Sequence, residues 1–190
     1  MTLLFATHNP NKVKEIQNML PDDIQVKSLT DIGFHEEIIE DGDTIEANAA
    51  IKATKVAELF NLPCFADDTG LEVETLDGEP GVKSARYAGE FKSDEANKKK
   101  LLSKLSDKPD RSARFKTVIV FKDADKEYSF TGICEGEITL KESGEGGFGY
   151  DPIFKPKGYS QTFAEMPASE KNKISHRSLA FQKLIAFLKT

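Results

Sequence analysis

Four segments of this 190-residue chain carry polar side chains that packing alone explains poorly. The first, Thr7-His8-Asn9-Pro10-Asn11-Lys12, reads as a turn from a strand into a helix. The N–H groups and dipole at a helix start favour an anion, and Lys12 adds a full positive charge one turn in. The same residues also suit an ordinary capped turn with a solvated lysine. The second, Ala66-Asp67-Asp68-Thr69-Gly70, follows an apolar run. Adjacent carboxylates suit a divalent cation or a general base, and Mg²⁺ prefers hard oxygen ligands that it shares with phosphate. A simple turn is the alternative, since Asp, Thr and Gly are turn formers. Glu40 could complete a metal site with Asp68, and with Asp67 as a further ligand. It also stands in an acidic run, Glu36 to Asp43, that reads equally as a solvated face.

The third segment runs from Gly144 to Pro152, with four of the chain's 13 glycines between Gly144 and Gly149. Such clustering lets backbone approach a ligand closely, and Phe148 and Tyr150 could flank a planar base. A hairpin loop with an aromatic anchor is the plainer account, and the spacing is not that of a dinucleotide fingerprint. The fourth, Glu170 to Arg177, places His176 and Arg177 in the first turn of a last helix capped by Ser175. Cations there oppose the helix dipole, so an anion or a base carbonyl explains them better than stability does. A histidine at a helix start is otherwise an ordinary surface residue. Together the four segments supply what is needed to hold a triphosphate, a metal and a base.

The elements that must position them can be read from periodicity. Leu3 to Ala6 is a strand, Asn9 caps a helix with Pro10 at its first position, and Val13, Ile16 and Leu20 mark its buried stripe. Ile24 to Ser28 is a second strand. Ile45, Ala49, Val56 and Phe60 predict a helix opened by a capping box of Asp43 and Glu46. Cys64 to Ala66 and Leu71 to Thr75 read as two strands separated by Asp67 to Gly70. Ser93 caps a helix to about Leu105, and Ala113 to Phe121 pairs with Tyr128 to Leu140 as a hairpin. Phe181, Leu184, Ile185 and Leu188 form the apolar face of the last helix. Helices alternate with strands early and long strands adjoin later, which predicts an α/β protein with a mixed sheet flanked by helices. With no repeat or linker, residues 1–190 read as one domain.

Composition narrows the partners. The net charge is −6, which disfavours a nucleic acid as partner, since tracking its backbone wants a basic face. There are 13 Phe, four Tyr and no Trp, enough apolar material for a core. Cys64 and Cys134 have no metal or CxxC spacing and read as reduced, partly buried thiols. The N-terminal MTLLFAT lacks the basic lead-in and length of a signal peptide, and no apolar run approaches a membrane span. The expectation is a soluble, cytoplasmic protein with no membrane partner.

The segments THNPNK, ADDTGLEV, PGVKSARYAG, ARF (Ala113 to Phe115), GGFGYDPIF and EKNKISHRSLAF, in this order, resemble the inosine/xanthosine triphosphate pyrophosphatases, the Ham1-like group. The resemblance covers nearly the whole chain. It implies hydrolysis of ITP, dITP or XTP to the monophosphate and pyrophosphate, with Mg²⁺, in a homodimer. It also implies a long central sheet and two lobes with a cleft between them. By position, Thr7, His8, Asn9, Pro10, Asn11 and Lys12 would hold phosphate, and Thr69 would touch substrate. Asp68 would be the base that activates water and would serve the metal together with Glu40. Phe148, Gly149, Tyr150, Asp151, Lys171, His176 and Arg177 would frame the base and phosphates. One departure stands out: the group commonly reads Glu-Asn-Ala where this chain has Ala47-Asn48-Ala49. Glu46 lies about 100° around the helix and cannot take over that contact. A Maf-like pyrophosphatase with another base preference, or a nucleotide-binding sensor without catalysis, are the alternatives.

Overall fold

Residues 2–190 are described by a computed structural model of the chain. Thr2–Phe5 forms β1, and Asn9 caps α1 (Pro10–Gln17) through its side chain, as the sequence predicts. The helix stops at Gln17, so Leu20 packs from the following loop rather than from the helical stripe. Gln25–Ser28 is β2, parallel to β1, and α2 spans Ile45–Phe60. The cap of α2 is Thr44, whose hydroxyl accepts from the Ala47 N–H, and not the expected Asp43–Glu46 box.

The largest difference from expectation is β3. Cys64–Val73 is one unbroken ten-residue strand, so Asp67 to Gly70 is not a turn. Then follow β4 (Pro80–Gly81), α3 (Asp94–Lys104, capped by Ser93), β5 (Ser112–Asp123), β6 (Lys126–Ile138) and β7 (Phe154–Pro156). A short helix, α4 (Ala168–Ile174), ends at Ser175, and α5 (His176–Leu188) begins at the next residue. The seven strands run β2-β1-β3-β5-β6-β7, with β4 on β3. β1 is parallel to β2 and β3, while β4 and β7 are antiparallel to their partners, so the sheet is mixed.

The chain divides into two compact units. The first comprises Met1–Asp68, Thr117–Gly132 and Arg177–Thr190. Its central strands β1, β3 and β5 are buried on both faces. Leu3, Phe5, Phe65 and Ile119 pack with Ile16 of α1 and Phe181 of α5, while Leu4, Ala6, Cys64, Ala66 and Val118 pack with Ile45, Ala49, Ala53 and Val56 of α2. Alternate residues of one strand thus belong to different cores, as the pleat requires. The second unit, Thr69–Lys116 and Ile133–His176, has its own core around Leu71, Leu101, Phe115, Phe154 and Phe163. Both cysteines are free and buried, with burial pushing each thiol up to about 11. Among the described residues, no helix is long and apolar enough to cross a membrane.

Candidate active site

Because Asp67 and Asp68 are consecutive residues of a strand, their side chains leave β3 on opposite faces. Asp67 follows Phe65 onto the α1 and α5 face. There its Oδ1 accepts from Lys12 Nζ at 2.9 Å and its Oδ2 from Arg177 Nε at 3.3 Å. Asp67 is 1% exposed. Burial alone would push its carboxyl up, but the Lys12 and Arg177 charges hold it well below the usual range. Arg177 also pairs with Glu15 of α1. Burial lowers Lys12, against the pull of Asp67, whereas Glu15 and Asp67 keep Arg177 raised despite its burial.

Asp68 follows Ala66 onto the α2 face. Lys52 of α2 reaches it there, with Nζ 3.7 Å from Asp68 Oδ1 and 3.2 Å from Glu40 Oε2. Lys52 is buried, yet Asp68 and Glu40 hold its ammonium above its ordinary value. Asp68 Oδ2 is buried and has no hydrogen-bond partner among the described residues. Burial raises the Asp68 carboxyl to about 6; Lys52 and Lys12 pull it down while Glu40 and Asp67 push it further up. One residue of sequence therefore separates a locked carboxylate from a basic one.

The loop that carries Glu40 is fastened to α2. Asn48, 4% exposed, accepts from the Gly42 N–H at 2.8 Å, and a Cβ on Gly42 would lie 2.7 Å from that oxygen and 2.8 Å from the Ala47 methyl. The small residue at position 47 is thus packed against the loop that carries Glu40. Asp68 and Glu40 offer hard oxygen donors, one of them an orphaned buried atom, and this set fits Mg²⁺. Asp67 does not fit, because both of its oxygens are engaged by cations. Among the described residues there is no group of three or more Asp, Glu, His or Cys arranged for a metal. Two carboxylates sharing an ion with phosphate oxygens meet the ordinary need of Mg²⁺.

The β1–α1 turn is more closed than the sequence reading expected. Asn9 Oδ1 already accepts from the N–H groups of Asn11 and Lys12, and Thr7 Oγ1 from the N–H of Asn9. Pro10 and Asn11 are exposed at the helix start. His8 faces the next loop: its Nε2 lies 2.9 Å from the Glu36 carbonyl and its ring stacks on Phe34 at 6.1 Å. What this turn presents to an anion is chiefly the Lys12 charge.

In the second unit the glycine loop is built around Asp151, which is 3% exposed. Its Oδ2 accepts from Lys171 Nζ at 2.7 Å and from the Phe148 N–H at 3.0 Å. Gly147 has φ +68, and a Cβ there would strike the Asp151 carboxylate. Lys171 Nζ also lies 5.2 Å from the Phe148 ring centre, and Gly149 N–H donates to Asp94 at 2.9 Å. Tyr150 does not flank an open pocket. It is 6% exposed within the core, and its hydroxyl donates to the Ser84 carbonyl at 2.7 Å, so it anchors the loop. His176 is likewise buried, stacked on Phe115 at 4.4 Å, rather than on the surface. Thr69 is half-buried in β3, the residue after Asp68. A concavity of about 810 Å³ in this unit, lined by Glu72, Arg114, Glu137 and Lys155 among others, contains none of these residues.

Lys12, Lys171 and Arg177 are each paired with a carboxylate rather than solvated. Sequence reasoning missed Glu15, Asn48 and Lys52. The signal for Lys52 was present: it stands seven residues after Ile45, on the stripe that Ala49 and Val56 occupy, so a lysine there must enter the core.

Comparison with known proteins agrees with the motif order. A family model described as Ham1 family matches residues 3–187. A dITP/XTP pyrophosphatase of Christiangramia forsetii is 56% identical over 188 residues, 99% of each chain, and that of Bacillus subtilis is 49% identical over 97% of this chain and 96% of its own. The solved structure of the Staphylococcus aureus Ham1 protein superposes with a TM-score of 0.90 at 42% identity, covering 100% of this chain and 98% of that one. A HAM1 protein from Coxiella burnetii gives 0.91 at 38%, with the same coverage. With the fold, the motif order and the matched length all in agreement, the chain belongs to the Ham1 family.

Proposed function

We propose that this protein hydrolyses non-standard purine nucleoside triphosphates (ITP, dITP and XTP) to the monophosphate and pyrophosphate. The observation that carries the reading is the division of labour across β3. Asp67 locks two cations on one face, while Asp68 keeps a buried, unpartnered oxygen on the other. Relatives at about half identity bear the name dITP/XTP pyrophosphatase, which supports the substrate class. The family match over residues 3–187 supports reading the chain as one catalytic domain. The resemblance further supports a homodimer working in the cytoplasm, which light scattering and fractionation would test.

Asp68 is the general base. Its carboxyl, raised to about 6 by burial, is ionised at neutral pH yet basic enough to take a proton from water. Lys52 holds Asp68 and Glu40 together and supplies a positive charge at the same edge. Held by Asp68 and Glu40, Mg²⁺ would neutralise phosphate oxygens. Lys12 and Arg177 draw in the polyanion that a protein of charge −6 would otherwise repel. Thr7, His8, Asn9, Pro10 and Asn11 form the turn that presents Lys12, and Thr69 extends the Asp68 edge. Most of the rate enhancement in such a site comes from positioning and electrostatics.

Base recognition falls to the second unit, through the Phe148–Gly149 backbone, Asp151, Lys171 and His176, with Tyr150 as anchor. Inosine and xanthosine carry a 6-carbonyl, which accepts; adenine carries an amino group, which donates. A site that offers donors leaves adenine unpaired, and a buried unpaired group is costly. The test is a panel of ITP, dITP, XTP, GTP and ATP with Mg²⁺. We expect kcat/KM for ITP and XTP to exceed that for ATP by at least about a hundredfold. Equal rates with ATP, or a preference for a pyrimidine nucleotide, would overturn the reading.

A further inference from the structure

Arg177 is 3% exposed, and a guanidinium keeps its charge at any pH the fold survives. Its Nε donates to Asp67, its Nη1 donates to Glu15, and the other Asp67 oxygen accepts from Lys12. Lys12 and Glu15 lie three residues apart on α1 and so share a face. The result is an alternating chain, Glu15–Arg177–Asp67–Lys12, two positive and two negative. It lies on the face of β3 opposite Asp68. Each of these three contacts fixes the direction of one N–H, and the long side chains of Lys12 and Arg177 have little freedom left.

We propose that Glu15 and Asp67 are positioning residues that aim Lys12 and Arg177 at the phosphates of the substrate. The proposal rests on the function given above, in which those cations receive the polyanion. Net charge argues for the opposite outcome. Removing the Glu15 charge makes this edge more positive, which by itself tightens anion binding, most of all at low salt. If Glu15 acts by aiming Arg177, the same change weakens anion binding. The sign of the effect separates the two.

The experiment measures KM and kcat for ITP and the inhibition constant of pyrophosphate, each with Mg²⁺, in the wild type, Glu15→Gln and Glu15→Asp, alongside thermal midpoints. Glu15→Gln keeps the shape and an acceptor oxygen. We expect it to raise KM and the pyrophosphate constant about tenfold while kcat changes less than about threefold. Glu15→Asp, which retains the charge at shorter reach, should fall between. An unchanged or lowered KM and pyrophosphate constant in Glu15→Gln, with only the midpoint reduced, would overturn the proposal and leave the chain a stabilising device. If Glu15→Gln does not fold, Glu15→Asp decides by the same criterion. A wild type inert towards ITP would sink the function reading alone. Calorimetric binding of pyrophosphate with Mg²⁺ to the wild type and the variants would still test the aiming role.

Discussion

Asp68→Asn should make the protein more stable and nearly inactive. In the fold the Asp68 carboxyl is raised from 3.8 to about 6, with burial the main cause. At about 1.4 kcal/mol per pH unit, keeping it ionised costs about 3 kcal/mol at pH 7.5. The sign follows from the raised value: the folded state holds the proton more tightly than the unfolded chain. Stability is therefore lost as pH rises from 3.8 to about 6, and the penalty is complete above that. Asparagine fills the same space without a charge. In chelator at pH 7.5, where no metal relieves the carboxylate, the variant should melt roughly 5 to 10 °C above the wild type. Near pH 4.5 most of that gain should vanish. Loss of a positioned base should lower kcat about a thousandfold, or about 4 kcal/mol of barrier. Differential scanning calorimetry at the two pH values and pyrophosphate release at saturating ITP read both effects. A variant less stable than the wild type at pH 7.5 would mean that the buried oxygen is satisfied after all. Turnover within tenfold of the wild type would remove Asp68 as the base.

Three further outcomes follow from the same geometry. Asp67→Asn should do the reverse and destabilise the fold by about 3–5 kcal/mol, because it leaves Lys12 and Arg177 buried with less opposing charge. The stabilisation from Asp67 is present above its ordinary value of 3.8 and is lost on acidification below it; an unchanged urea midpoint at pH 7 would contradict this. At saturating Mg²⁺ the kcat/KM profile should fall tenfold per pH unit on its acid side, bending at or below pH 6, and Lys52→Gln should move the bend upward by removing the charge that opposes burial. An unmoved bend would detach Lys52 from Asp68. Gly42→Ala, whose new methyl would crowd Asn48 Oδ1, should raise the Mg²⁺ concentration for half-maximal rate about tenfold, and an unchanged titration would show that the loop does not place Glu40.

Local chemistry made much of the frame legible in the sequence. Asn9 and Ser93 cap the helices they were expected to cap, because a cap depends on a few neighbouring residues. The α5 stripe likewise follows its period, with Phe181 and Leu184 buried. Asp67 to Gly70 misled because turn propensity is local, whereas neighbouring strands fix β3 from both sides. That error hid the main point of the site, since two aspartates in a turn share a neighbourhood and two in a strand do not. Tyr150 looked like a ligand platform beside its glycines, and only the Ser84 carbonyl from a distant segment shows it to be an anchor. Nothing local marks Glu15, because its partner Arg177 lies 162 positions away.

The most direct test follows the products of ITP by phosphorus NMR with Mg²⁺ in the wild type and Asp68→Asn. We expect inosine monophosphate and pyrophosphate in equal amounts from the wild type, no orthophosphate, and almost nothing from the folded variant. Orthophosphate as the first product, or pyrophosphate formed at the wild-type rate without the Asp68 carboxylate, would contradict this.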